Sequence, residues 1–340
     1  MDDGGYDVPH NSTNIKVHET NSPPVDGLRI IVAKGWLLKP KRPVLPLEGS
    51  ILPTETPPHP PSTPYELLDF GSGRKLERFS GLILDRPSPA AEGIRATSPG
   101  LWKDADFRFR ADGSPGWSEG SAPDKWRFSW QEVVLELKLS PFGHVGLFPE
   151  QISNWRWIQR LIQRSQGPIR LLNLFGYTGG STLAAAAAGA EVVHVDASKP
   201  TVEWARRNAE RSGLTNVLTR WIVDDVRDFV EREQRRQAKY DLILLDPPAY
   251  GHGASGRDWK IERDLDPLME KCLSLLSAAP HGFLLTGHSP IPSLEAGPIA
   301  SKTWKALRAV FTKSSQHRVG LLDANRRKLD FGYAYRFVNT

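Results

Sequence analysis

The stretch from Ile169 to Ser198, IRLLNLFGYTGGSTLAAAAAGAEVVHVDAS, constrains this chain more than any other. It opens on a short apolar run, Ile169 to Leu174, of the length expected for a buried strand. A glycine-rich turn follows (Gly176, Gly179, Gly180), then an alanine-rich helix over Ser181–Ala188 that Gly189 can end with a left-handed cap. A second apolar run, Val192 to Val195, stops at Asp196. This is a βαβ unit, whose right-handed crossover places both strands parallel in one sheet. Glycines admit a ligand close to the backbone, and an acidic residue about 20 positions on can hold a ribose diol. The unit therefore reads as a nucleotide-type cofactor site, with tight helix–strand packing as the plain alternative. The glycines do not follow G-x-G-x-x-G, and the helix lacks the Lys of a phosphate-binding loop. A dinucleotide is disfavoured, and a nucleoside triphosphate more so.

A length of 340 residues suggests about two domains. Residues 1–64 read as a disordered tail, because prolines crowd it (Pro53, Pro57, Pro58, Pro60, Pro61, Pro64) and periodic apolar patterning is absent. Only Leu28–Leu38 offers a patch that could dock. Residues 65–145 show short strand-like runs between turn signals, among them the turn Gly71-Ser-Gly73 and the runs Leu82–Leu84, Phe107–Phe109 and Val133–Leu139. Trp102, Trp117, Trp126 and Trp130 in this part either build a small β core or present a stacking surface for unpaired bases. From 146 to 340, strands and helices alternate, ending in two runs, Arg318–Leu322 and Phe331–Val338, that can pair as an antiparallel edge. The expected fold class is therefore α/β: a mostly parallel Rossmann-like sheet with an antiparallel edge, behind a small β-rich domain.

Other features set bounds. The single cysteine, Cys272, excludes internal disulfides and multi-cysteine zinc sites, and no metal site is expected. With the acidic start (Asp2, Asp3, Asp7), which argues against a targeting peptide, it suggests the reducing cytoplasm. No apolar run approaches the ~20 residues a membrane span needs. A net charge of +5 permits an anionic partner without requiring one. His144 and Gln151 stand out as polar groups in an apolar segment, a setting in which side chains are more often structural than ligand-binding.

Three strand-like runs end in acid: Asp196, Asp225 (or Asp224) and Asp246. In an open α/β sheet the carboxyl ends of strands border the ligand crevice. One such residue could be a cap; three in consecutive units point to a site. The last is the most informative. In Leu245-Asp246-Pro247-Pro248-Ala249-Tyr250, two prolines fix the backbone and bring no N–H. The Asp246 carboxylate and nearby carbonyls are then a row of acceptors beside an aromatic ring, which suits a planar base carrying N–H.

These residues carry a resemblance. Asn173-Leu-Phe-Gly-Tyr-Thr-Gly-Gly180, Val195-Asp196-Ala-Ser198, Asp224-Asp225-Val226 and Asp246-Pro-Pro-Ala-Tyr250 resemble the motifs of class I S-adenosylmethionine-dependent methyltransferases. The N-x-F-x-Y-T-G-G turn, and a G-x-F-x-x-Q segment matched by Gly146–Gln151, are most similar to the bacterial large-subunit ribosomal RNA methyltransferases that make 5-methylcytosine or 7-methylguanine. The resemblance implies S-adenosyl-L-methionine as cofactor and RNA as substrate. It implies cofactor contacts from Gln151, Asn173, Phe175, Tyr177, Thr178, Gly179, Asp196, Ser198, Asp225 and Asp246. Asp246, Pro247, Pro248 and Tyr250 would hold the acceptor.

Two departures matter. Cytosine-C5 members carry a catalytic cysteine after the fifth strand, where this chain reads Leu285-Thr-Gly-His288-Ser-Pro290. Cys272 instead falls on a helical stripe with Leu268, Leu275 and Leu276, so a nitrogen acceptor is favoured over carbon C5. The family's amino-terminal RNA-binding module has no visible counterpart. Exposed basic residues (Arg156, Arg160, Arg164; Arg232, Arg235, Arg236, Lys239) can steer a polyanion or simply solvate helices, and His288 is either a proton acceptor or structural. A small-molecule methyltransferase, or a non-catalytic RNA-binding protein of the same fold, are the alternatives.

Overall fold

Both middle residues of the turn at Ser72-Gly73 are left-handed, with φ of 52° and 72°. This twist suits a two-residue hairpin, and it closes β1 (Tyr65–Gly71) on β2 (Arg74–Phe79). β3 (Leu82–Pro87), β4 (Phe107–Arg110) and β5 (Gly116–Trp117) complete a five-stranded sheet in sequence order, parallel only between β3 and β4. A separate hairpin joins β6 (Arg127–Trp130) to β7 (Val133–Glu136). The computed structural model describes residues 64–111, 115–252, 257–288 and 302–339; residues 1–63, with the tail and its Leu28–Leu38 patch, lie outside them.

The tryptophans of this β-rich part pack inward. Trp126 is buried edge-on to Phe79 and donates its indole N–H to the Phe79 carbonyl at 2.9 Å. Trp102 donates to Asp69, Trp117 to the Ser140 carbonyl, and Trp130 meets Trp155 edge-on. Trp126 belongs to a core against which Trp117 and Trp130 pack, which favours the small β core over a stacking surface. That core crosses residue 145: Phe128, Leu135, Val145 and Leu147 pack in one cluster with Trp155, Leu183 and Ala209.

The second part alternates as its sequence pattern predicts. Pro149–Gln151 form a 3₁₀ turn before α1 (Ile152–Gln163), whose Trp155, Ile158 and Ile162 are buried. There follow β8 (Arg170–Leu174), α2 (Gly180–Ala187), β9 (Glu191–Asp196), α3 (Lys199–Arg211), β10 (Thr219–Val223), α4 (Val226–Arg235) and β11 (Leu242–Leu245). A short hairpin, β12 (Tyr250–His252) with β13 (Asp258–Lys260), precedes α5 (Ile261–Ser274), β14 (Gly282–His288), α6 (Lys302–Val310), β15 (Lys313–Leu322) and β16 (Lys328–Val338). One seven-stranded sheet results, in the order β10-β9-β8-β11-β14-β16-β15. It is parallel except for β16, which runs antiparallel to both its neighbours, β14 and the edge strand β15, so the last two runs pair antiparallel as expected. All four residues of β11 are buried, as a strand covered on both faces requires. The chain runs outward from β8 to β10 and then returns to place β11 on the other side of β8. That reversal is the topological switch point, where such sheets bind ligands.

The loop between β15 and β16 anchors the small sheet to the large one. Arg327 reaches Asp69 at 2.5 Å and Asp323 at 2.7 Å, and lies over the Phe70 ring at 4.2 Å. Burial alone would raise the Asp69 carboxyl, but hydrogen bonds from Trp102, Ser98, Thr97 and Phe70 outweigh it and hold the group below the ordinary range. Asp69 therefore stabilises the fold fully above the usual aspartate pKa, and that contribution is lost as pH falls toward the lower folded value. Arg327→Met leaves two buried carboxylates without their cation and should cost about 3–5 kcal/mol in urea unfolding at neutral pH. A loss below about 1 kcal/mol would show that the small sheet docks without this contact.

Candidate active site

The turn after β8 is built around places where no side chain fits. A Cβ on Gly176 would lie 2.4 Å from the His194 ring, and one on Gly180 would lie 2.3 Å from the Trp155 ring. Between them the backbone is wound tightly enough that Phe175 and Tyr177 have positive φ, 59° and 49°. Each such residue costs on the order of 1–3 kcal/mol and persists only where its surroundings impose it. Those surroundings are visible. Gly179 donates its N–H to the Gly176 carbonyl, and Gly176 donates to the Val195 carbonyl. Below the turn, Asn173 donates to Thr182, whose hydroxyl meets His194 Nδ1 at 2.9 Å. Burial pushes His194 down to about 3, so it is a neutral core group.

Each acidic strand end has a distinct set of partners. Asp196 accepts the Tyr177 N–H and the Ser198 N–H, both at 2.9 Å, which ties the glycine turn to the end of β9. Burial raises its carboxyl in spite of those bonds. Asp225 caps α4 and is gripped by Arg227, which donates to one oxygen from Nε at 3.0 Å and to the other from Nη2 at 2.6 Å. Burial works against the charge, but the Arg227 guanidinium holds this carboxyl below the ordinary range. Asp246 accepts from Gln151 Nε2 at 3.1 Å and from the Thr286 hydroxyl. Thr178 and Asn208 complete the frame: Thr178 Oγ1 donates to the Gly146 carbonyl and Asn208 Nδ2 to the Thr178 carbonyl.

These parts enclose a cavity of about 510 Å³, within the range of small-molecule sites. Of the residues predicted for a site, Gln151, Asn173, Phe175, Tyr177, Thr178, Asp196, Ser198, Asp225, Asp246 and Pro248 line it. Gly179, Pro247 and Tyr250 do not. Gly179 faces Ala205 of α3, at 3.1 Å from a would-be Cβ, and serves the turn. Tyr250 is 52% exposed and starts β12, between the lining residues Pro248 and Gly251. A hydrogen bond to Asp258 raises its phenol. The expected row of free carbonyls is corrected in one respect, since the Pro248 carbonyl accepts the Trp259 indole N–H at 2.8 Å.

Several lining residues escaped the sequence reading. Phe148 closes one wall against Tyr177, at 5.5 Å between rings, and was within reach through the G-x-F-x-x-Q segment. Trp155, Arg227 and Trp259 carry no local signal; packing between elements brings them in. His144, expected to be structural, also lines the cavity. Cys272 is buried among Leu268, Leu275 and Leu276 and does not line the cavity, and its thiol is raised by burial. The His288 side chain lies outside the described residues.

The close fit at Gly180 generates a test. In Gly180→Ala the new methyl collides with the Trp155 ring, so the wall must move at a cost of about 1–3 kcal/mol. S-adenosylmethionine binding by calorimetry should weaken correspondingly, while far-ultraviolet circular dichroism stays native. Parent affinity in this variant would show that the wall yields freely.

Comparison with known proteins agrees with this geometry. Residues 80–286, more than half the chain, match the S-adenosylmethionine-dependent methyltransferase family. A methyltransferase structure from Agrobacterium tumefaciens is 33% identical with a TM-score of 0.75, over 82% of this chain and 91% of that one. A putative methyltransferase from Streptococcus mutans, 16% identical with a TM-score of 0.62 over 82% of this chain and 76% of that one, shares the fold. Among curated proteins, Ribosomal RNA large subunit methyltransferase K/L of Hahella chejuensis is 37% identical over 151 residues, 44% of this chain and 20% of that protein. Ribosomal RNA large subunit methyltransferase I of Aeromonas salmonicida is 34% identical over 151 residues, 42% of this chain and 35% of that protein. The chain thus spans between a fifth and about a third of the length of these two relatives. With the family matched over most of the fold and the switch-point cavity in place, this chain belongs to the S-adenosylmethionine-dependent methyltransferases.

Proposed function

We propose that this methyltransferase acts on a nitrogen of a base in large-subunit ribosomal RNA. The observation that carries the nitrogen assignment is the setting of Asp246. Its carboxylate is held by two donors at the cavity wall beside Pro248, and no cysteine lines the cavity among the described residues. Carbon C5 of cytosine needs a thiolate added at C6 before it becomes nucleophilic. A base nitrogen needs only placement.

The roles follow from the partners. Asp196, at the end of β9, would accept from the ribose hydroxyls of the cofactor, and Asp225 from its adenine amino group. Phe148, Tyr177 and Trp259 supply aromatic walls, with Tyr177 kept neutral because burial pushes its phenol up to about 12. When bound, the cofactor supplies a methyl group activated on a sulfonium. The chain contributes position: Asp246, oriented by Gln151 and Thr286, accepts the N–H of the incoming base and takes the proton that the methylated nitrogen sheds. Tyr250, half exposed next to Pro248, offers its face to that base.

RNA as acceptor is supported by the names of the K/L and I relatives and by the exposed Arg156 and Arg160 on α1 and Arg164 at its C-cap. Such an acceptor fits the reducing, cytoplasmic setting expected from the single cysteine. Transfer of labelled methyl groups to unmodified large-subunit RNA transcripts tests the assignment. Asp246→Ala should lower kcat by roughly 100-fold with cofactor affinity retained, and Tyr250→Ala should cost about 1–3 kcal/mol in kcat/KM. Cys272→Ser should keep the parent kcat. A folded Cys272→Ser protein that binds cofactor but transfers nothing would restore cytosine C5 as target. Transfer insensitive to added salt would favour a small, uncharged acceptor.

A further inference from the structure

The Asp246 clamp is the last member of a longer chain of polar groups. Arg336, on β16, donates to Asn154 Oδ1 from Nη2 at 2.6 Å and from Nε at 3.2 Å. Asn154 Nδ2 donates to Gln151 Oε1 at 2.7 Å, and Gln151 Nε2 donates to Asp246 Oδ2 at 3.1 Å. Asn154 is fully buried, and Gln151 and the Asp246 partner Thr286 are nearly so. Arg336 is itself held in place by the Ser153 carbonyl and lies over the Trp157 ring at 5.5 Å.

This chain has a direction, and one residue sets it. A buried amide can present either its oxygen or its nitrogen to a neighbour, so neither Asn154 nor Gln151 has an inherent sense. A guanidinium can only donate. Burial and the nearby Arg160 charge pull Arg336 down to about 10, still protonated at neutral pH. Arg336 therefore obliges Asn154 to turn its oxygen outward and its NH₂ toward Gln151. That in turn obliges Gln151 to accept on its oxygen and to donate to Asp246. Reversed, Gln151 would set its oxygen against a carboxylate, and the clamp on Asp246 would fail. A Gln at position 151 alone does not orient Asp246; the sense of its amide is decided two residues away, on the antiparallel edge of the sheet.

We infer that Arg336 and Asn154 are positioning residues for methyl transfer, fixing the donor sense of Gln151 and through it the orientation of the Asp246 carboxylate. This rests on the reading that Asp246 faces the methyl acceptor. Neither residue lines the cavity, so neither is a contact to cofactor or base. The relay predicts a separation between donor capacity and shape. Lys at 336 still only donates and keeps the sense; Met at 336 keeps bulk without a donor. Asp at 154 stays paired with Arg336 but offers Gln151 acceptors alone, which reverses its amide.

The test combines kinetics with a readout that needs no acceptor. With S-adenosylmethionine and large-subunit RNA transcripts, Arg336→Met and Asn154→Asp should lower kcat on the order of 10- to 100-fold. The KM for cofactor should stay within about threefold of the parent, and Arg336→Lys should stay near the parent in both. In parallel, the side-chain amide resonance of Gln151, assigned by its loss in Gln151→Glu, should keep its position in Arg336→Lys and shift in the other two. A folded Arg336→Met protein with parent kcat and an unshifted amide would overturn the inference. So would an Arg336→Lys protein as slow as Arg336→Met, because packing rather than donation would then be what matters. If Arg336→Met does not fold, Asn154→Asp decides by the same two readouts. If the parent transfers no methyl group to the transcripts, the RNA reading fails, and the amide resonance still decides the relay.

Discussion

The site depends on one packing constraint: the turn after β8 must pass between α1, β9 and α3 with little or no room for a side chain at Gly176, Gly179 and Gly180. Trp155 closes on Gly180, His194 on Gly176 and Ala205 on Gly179. This closeness forces Phe175 and Tyr177 into left-handed backbone, and the backbone they distort becomes one wall of the cavity. Buried packing offsets the strain, which is how irregular backbone persists at working sites. Asp196 adds the electrostatic part by accepting the Tyr177 N–H across the same turn.

From that turn outward, the acidic strand ends differ by what holds them. Among the described residues Asp196 is bound only by backbone N–H groups, Asp225 is locked by a guanidinium, and Asp246 is clamped by an amide and a hydroxyl. Three carboxylates at consecutive strand ends thus have three environments, and with them three abilities to accept from a ligand. The small β-rich part is tied into the same arrangement. Its core runs into α2 and α3, and the Gly146 carbonyl that follows it is bound by Thr178 of the turn. The comparisons establish the family of the chain; the proposed nitrogen acceptor and the proposed roles of single residues rest on this geometry.

Much of this was legible in the sequence because it is local. A βαβ period, a glycine turn and acids at strand ends are set by neighbours within about 30 positions, and Asp196, Asp225 and Asp246 could be read from them, whereas Asn173 came only with the family resemblance. The parallel pairing of the first βαβ unit and the antiparallel pairing of the last two runs were legible in the same way, but the strand order was not. What could not be read depends on distant parts of the chain. Trp259 reaches the cavity because the β12–β13 hairpin folds back, taking the Pro248 carbonyl that the proline pair had seemed to leave open. Trp155 arrives on a helix laid across α2. Tyr250 was singled out for its ring, yet in β12 it is Gly251, next along, that lines the cavity. Arg336 lies 182 positions from Asn154, and nothing near it in sequence marks it.

Delivery of a methyl group from this cavity to a base nitrogen of ribosomal RNA, as proposed above, can be observed in the cell. Nucleoside mass spectrometry of large-subunit RNA from cells with and without the protein tests it most directly. The expected result is one methylated nucleoside that is lost on deletion, returns with the parent chain but not with Asp246→Ala, and carries its methyl on nitrogen. A methyl found on cytosine C5, or an RNA unchanged by deletion, would contradict it.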